Sequence, residues 1–197
     1  MVIRLDIVFV VVNLCRGYKP LRLKDTSELP AAEHLCQSGE IFCENDQHVE
    51  VPFDSLKGAS LENLNLHRAW LENVDLSNSS FLKSNLRGAF LYKANLKGCN
   101  LISTNLIVAD LREAILCEAD LRNSIAISAL FISADLSNAN LEGANVEGAN
   151  FVKANLKGAN MKCVAIEKAN IDGAIFDKNT IWPENFIAQE YGGVKMR

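Results

Sequence analysis

The chain has 197 residues, a net charge of −4, 49% hydrophobic residues and only 7% aromatic ones. That length suits one domain or one domain plus an extension, and the Leu- and Ala-rich composition suits a narrow core of repeated aliphatic layers. Between residues 54 and 178, fourteen acidic side chains stand against thirteen basic ones, so no strong field favours nucleic-acid binding or an acidic decoy surface.

The first 18 residues carry the run Ile7-Val8-Phe9-Val10-Val11-Val12. It is far short of the roughly 20 apolar residues that span a bilayer, and its Val/Ile character reads as a buried strand or cap. A targeting segment over residues 1–18 is the alternative, with Arg4 as its basic start and Asp6 partly cancelling it. The strand reading makes the protein cytoplasmic; the targeting reading makes it exported or lumenal.

From Lys19 to Pro52 the composition turns polar. Ser27, Pro30 and Glu33 mark the start of a short helix that Gly39 would stop. Ile41-Phe42-Cys43 and Val49-Glu50-Val51 read as short extended pieces around the turn Asn45-Asp46. His34, Cys36, Cys43 and His48 are all metal-capable residue types, but their spacing matches neither a CxxC knuckle nor a finger. No metal and no cofactor is therefore expected. Six scattered cysteines do not make a disulfide scaffold; Cys36 and Cys43 would pair only in an oxidising compartment.

At residue 54 a five-residue period begins, and it continues to residue 178. Its clearest stretch runs Ala139-Asn140-Leu141-Glu142-Gly143, Ala144-Asn145-Val146-Glu147-Gly148, Ala149-Asn150-Phe151-Val152-Lys153. The large apolar centre falls at residue 56 and every fifth residue to 176, giving twenty-five units. Two residues earlier, sixteen of the twenty-five positions are Ala, and the position between is Asn or Asp in fifteen. A fixed period of this length is the mark of a stacked repeat. The centre and the small residue must face inward, and the other three positions face solvent. Seven of the eleven glycines close a unit, which points to a corner of positive φ. Ala126 is the one weak centre and the expected soft spot.

This A(D/N)LXX pattern resembles the pentapeptide-repeat family. The resemblance implies an all-β fold, a right-handed quadrilateral β-helix with four units to a coil. Twenty-five units make about six coils, a rod about 30 Å long. The ending Phe176-Asp177 … Thr180-Ile181-Trp182-Pro183 … Phe186 is similar to the FDxxTxWPxxF close of many members, with Trp182 and Phe186 as a lid. The domains are then an N-terminal extension and cap over 1–53, the β-helix over 54–178, and a C-terminal cap and tail over 179–197, its last six residues loose.

A filled rod leaves no cleft for positioned acids, bases or nucleophiles, so the chain is not expected to be an enzyme. The informative residues are apolar ones in outward positions: Ile102, Ile107, Val108, Ile115, Ile125, Ile127, Leu130, Ile132 and Val152. Ile107 with Ile127, and Ile132 with Val152, are twenty apart and should stack. A contiguous apolar patch suggests a partner surface, taken by a foreign protein or a second copy, or covered by the N-terminal segment. The resemblance thus implies a rigid interaction scaffold of unassigned role. Its alternative is the family's DNA-mimic regulator of a topoisomerase, which binds gyrase and confers quinolone resistance, but such mimicry needs a strongly negative surface.

Overall fold

Every fifth side chain from Leu56 to Phe176 is buried, and the backbone pairing shows why. In the computed structural model, which describes residues 40–42, 48–50 and 56–196, residues twenty apart are joined by parallel bridges. Asn65, Asn85, Asn105, Ile125 and Asn145 form one such column. Four columns of this kind enclose the core, so the chain folds as a right-handed quadrilateral β-helix. The 120 steps along the chain from Leu56 to Phe176 make six turns of twenty. We number the faces by their centres: the first carries Leu61 to Met161, the second Leu66 to Ile166, the third Leu71 to Ile171 and the fourth Leu56 to Phe176.

Within a unit all five N–H groups have a distinct destination. In the unit from Asn140 to Ala144, the Asn140 N–H donates to Ala119 O of the coil before (2.9 Å) and the Leu141 N–H to Asn160 O of the coil after (2.8 Å). Gly143 donates onward to Lys162 O (3.0 Å), and Ala144 closes the corner on Leu141 O (3.0 Å). The remaining donor, the Glu142 N–H, is taken by Oδ1 of Asn140 at 3.0 Å. The Asn/Asp position is therefore a latch: its side chain satisfies the one backbone donor that no other coil reaches.

The corner residue of every unit from Gly58 to Gly158, and again Gly173, adopts the left-handed conformation, as expected for the seven glycines. Lysines, glutamates and serines do so as well, among them Lys83, Glu113 and Ser133, because the stacked bonds on either side over-determine the corner.

The core is a set of ladders. Phe131 and Phe151 stack with centroids 4.7 Å apart and planes 2° from parallel. Ala126, the expected soft spot, is fully buried. It shares its coil with Phe131, and together they carry as many side-chain carbons as the two leucines at the matching positions one coil earlier, so the coil's contents are conserved.

Two departures from strict periodicity stand out. Leu64 occupies a small-residue position and is only partly buried; there Ser84 Oγ donates to Leu61 O (2.5 Å) and accepts from the Leu64 N–H (3.0 Å). The hydroxyl stitches a corner that an oversized side chain has opened. The second departure corrects the expectation of an unbroken five-residue register. Val164 falls where a small inward residue is needed but is 54% exposed, while Cys163 turns inward in its place. Asn145 consequently bridges Val164, nineteen residues on, and the missing residue is made up by the 3-10 turn Ile166–Lys168 before Asn150 bridges Asn170.

At the N-terminal side, strands β1 (Glu40–Phe42) and β2 (His48–Glu50) pair antiparallel, with Ile41 opposite Val49. The two extended pieces expected there form a hairpin. The helix expected after Ser27, the run at residues 1–18 and the Cys36/Cys43 pair lie outside the described residues. At the other end Trp182 packs edge-on to Phe176 (5.5 Å), Phe186 lies against Trp182 (5.2 Å) and Tyr191 stacks on Phe186 (4.7 Å). Strand β3 (Ile175–Phe176) pairs in parallel with β4 (Val194–Lys195). The tail is thus not loose as expected: Val194 N–H donates to Ala174 O (2.8 Å) and Met196 N–H to Phe176 O (2.7 Å), covering an edge that would otherwise invite another chain.

Candidate interaction face

The latch gives a measure of what each outward apolar residue costs. Ile125 and Leu130 stand at latch positions and have no acceptor to offer, so the N–H groups of Ile127 and Ile132 have no partner among the described residues. Each substitution forgoes a hydrogen bond worth about 1 kcal/mol net. Val108 adds a second cost. It is a β-branched residue at φ 51°, a conformation that non-glycine residues of this shape rarely hold.

These residues share one region. On the second face Ile107 and Ile127 stack, with the Val108 N–H donating to Ile127 O at 3.0 Å. Ile125 lies beside them and is 41% exposed; Val108, on the corner toward the third face, is 50% exposed. Around that corner Leu130 bridges Asp110 and Asn150. Ile132 and Val152 stack beyond it, receiving the N–H groups of Glu113 and Ser133. Ile102 does not join the group, because it sits on the first face in line with Leu82 and Arg122. Ile115 stands on the fourth face, between Asn95 and Asp135.

Two members were missed from the sequence. Trp70 and Phe90 occupy latch positions of the third face, in the column that leads up to Leu130, and their rings stack at 4.5 Å. The signal was present, since neither residue can serve as a latch. Beside Phe90, the glycine corner at Gly88 leaves a notch where a Cβ would lie 3.2 Å from Arg68 Cγ. The result is an open depression of about 480 Å³ lined by His67, Arg68, Arg87, Gly88, Phe90 and Val108.

The charged groups near this region are braced by neighbours. Burial alone would raise the Asp110 carboxyl, but the hydrogen bonds and charge of Arg112 outweigh it and hold it below the usual range. Arg112 also lies over the Tyr92 ring at 5.7 Å. Burial, with Asp110 close by, raises the Glu72 carboxyl. Lys168 pairs with Glu147 at 2.8 Å on the second face. Burial pushes the Cys99 and Cys163 thiols up to about 12, which leaves them protonated and unreactive. Among the described residues no group of His, Cys, Asp and Glu is arranged to hold a metal, and no helix is long and apolar enough to cross a membrane. Of the four metal-capable N-terminal residues, the structure describes only the backbone of His48.

A family model of pentapeptide repeats matches residues 55–78, 94–131, 104–143 and 139–177, more than half of the chain. The chain belongs to the pentapeptide repeat family. Solved structures of similar sequence include a pentapeptide repeat protein from the thylakoid lumen of Arabidopsis thaliana. It is 33% identical over 54% of this chain and 67% of that one, with a TM-score of 0.36. A pentapeptide repeat protein from Nostoc PCC 7120 is 31% identical over 57% of this chain and 84% of its own, with a TM-score of 0.31. The plasmid-mediated fluoroquinolone resistance protein QnrB1 is 19% identical over 72% of this chain and 85% of its own, with a TM-score of 0.38. No curated protein sequence matches the chain. In this pentapeptide repeat protein the regular units build the rod, and the second and third faces of the middle coils are where most of its outward apolar residues gather.

Proposed function

We propose that this pentapeptide repeat protein is a non-enzymatic scaffold that presents a rigid face to another protein. The observation that carries this reading is the replacement of latch residues by Ile125 and Leu130 beside the stacked pairs Ile107/Ile127 and Ile132/Val152. Neither replacement helps the fold: each forgoes a backbone hydrogen bond and leaves apolar surface in water. Residues that weaken a fold locally without gain inside it are expected at functional surfaces. A flat, rigid sheet face also loses little entropy on association, which favours its use as a docking platform.

The partner is a protein rather than nucleic acid, because the repeat charges nearly cancel and the patch centre is aliphatic. The same balance disfavours a DNA mimic acting on a topoisomerase, so added protein should leave gyrase supercoiling unchanged. Affinity capture with the full chain tests the scaffold directly. Proteins retained by the wild type should be lost when Ile107 and Ile127 are both changed to Lys, and an unchanged captured set would refute the assignment of this face.

A further inference from the structure

Along the second face, the outward residues after the centres stack as Arg87, Ile107, Ile127 and Glu147, with His67 before them in the first coil and Glu167 after them in the 3-10 turn Ile166–Lys168. Basic residues hold one end, acidic residues the other, and two isoleucines the middle. The series is antisymmetric about the point between Ile107 and Ile127. We infer that this face is self-complementary and that its occupant is a second copy of this chain, running antiparallel. The inference rests on the reading of this surface as an interaction face and names its partner.

The geometry follows from symmetry. Two rods meeting face to face are related by a two-fold axis lying in the interface. If that axis crosses the rod between the coils of Ile107 and Ile127, rod direction reverses and each column stays opposite itself. Ile107 then meets the partner's Ile127, and Arg87 meets the partner's Glu147; the 3-10 turn that carries Glu167 lies at the end where the partner's His67 falls. In the neighbouring latch column Asn85 meets the partner's Asn145, and Ile125 meets the partner's Asn105. At the corner Gly88 meets the partner's Gly148, so two corners without side chains come together where the faces must approach closely. One like-charged meeting arises, Arg68 with the partner's Lys168. The ammonium of Lys168 is already paired with Glu147 of its own chain at 2.8 Å, which softens it.

The alternatives fit worse. Parallel packing would set Arg87 against Arg87 and Glu147 against Glu147. The third face fails the antiparallel test, since Glu72 would meet the partner's Asp172. Exposure points the same way. The large aliphatics left most exposed along the coils are Val108, Ile115, Ile125 and Val164, and all but Ile115 lie on the second face or its corner. The register slip that turns Val164 outward thus places one more apolar group on this surface. From the first coil to the sixth there are five strand spacings, so the face measures about 24 Å between its end strands and about 10 Å across. That is small beside the roughly 800 Å² per partner of a standard interface, so the dimer should exchange with monomer rather than be permanent.

Sedimentation equilibrium of the full chain from about 5 to about 500 μM, the range in which so small an interface dissociates, tests this. The mean mass should rise toward that of a dimer, and Ile107→Lys with Ile127→Lys should hold it at the monomer. Arg87→Glu alone and Glu147→Arg alone should each weaken association about tenfold or more. An equimolar mixture of those two single variants should recover it, because the mixed dimer restores both charge pairs. Circular dichroism and melting temperature should stay near wild type, all four positions being outward. A wild type monomeric throughout, or single variants that do not recover on mixing, would overturn the antiparallel dimer. If such a monomer still lost its captured proteins on the Ile107/Ile127 changes, the scaffold reading would stand while the self-pairing fell.

Discussion

Changing serine to alanine at two positions of one column should move stability in opposite directions. Ser84 and Ser124 both occupy the small inward position of the second face, and both are buried. Ser84 Oγ holds together the corner that Leu64 has opened, donating to Leu61 O and accepting from the Leu64 N–H. Ser84→Ala leaves those two backbone groups without partners, at about 1–3 kcal/mol for a buried unsatisfied group, so a loss of about 2 kcal/mol is expected. Ser124 Oγ has no partner among the described residues, and the corner beneath it is closed without it by Thr104 N–H on Leu101 O (3.2 Å). Ser124→Ala removes an orphaned hydroxyl and installs the residue most common at that position. The cavity left by one oxygen costs only a few tenths of a kcal/mol, so a net gain of about 1 kcal/mol is expected. For a chain of this size each kcal/mol shifts the melting temperature by about 2–4 °C. Differential scanning calorimetry of both variants against wild type decides the matter. Two changes of the same sign would refute the claim that hydrogen-bond satisfaction, not volume, distinguishes these sites.

The pairing of Ala126 with Phe131 predicts coupled mutants. Ala126→Leu should cost about 1–3 kcal/mol by overpacking and Phe131→Leu a similar amount by leaving a void, yet the double variant should lie near wild type in a denaturant-unfolding cycle. Val108→Asn should relieve a strained corner and raise stability by about 1 kcal/mol while weakening association in the sedimentation experiment. With the protein folded at pH 8, Cys99 and Cys163 should resist alkylation while Cys117, only partly buried, reacts; peptide mapping by mass spectrometry would show the order, and early labelling of Cys99 would mean that the coils open readily.

Much of the fold was legible because the repeat forces one answer at each position. A large centre repeated from Leu56 to Phe176 has nowhere to go but inward, and glycine at the end of a unit marks the corner. What the periodicity hid was the work of the Asn/Asp position. It reads as merely outward and polar, and its service as acceptor for the N–H two residues on is visible only when every donor is followed to its partner. For the same reason Trp70 and Phe90 passed as unit-to-unit variation, although each stands where a latch should be. The slip at Val164 was hidden because the period on either side is intact; only the bulk of valine in a small inward position signalled it. The tail escaped because Val194 and Lys195 carry no repeat signature, and only their bonds to the last coil give them a place. The interaction face was legible as a list of aliphatics and illegible as a surface. Column membership separates Ile102 from Ile107, and it brings Arg87 and Glu147, sixty residues apart, onto one line with the isoleucines between.

The local character of the latch has a consequence for how such a chain can change length. Because a unit with Asn or Asp at the latch satisfies its awkward donor from its own side chain, a block of twenty residues can be added or lost without rewriting the coils above and below. A smaller insertion rotates every later residue onto the wrong face. The segment from Met161 to Asn170 shows how narrow the escape is: one residue dropped before the Asn145–Val164 bridge is restored by a single tight turn before Asn150 meets Asn170. Length in this molecule is quantised in whole turns, and a frame error survives only where it is cancelled on the same side of the square.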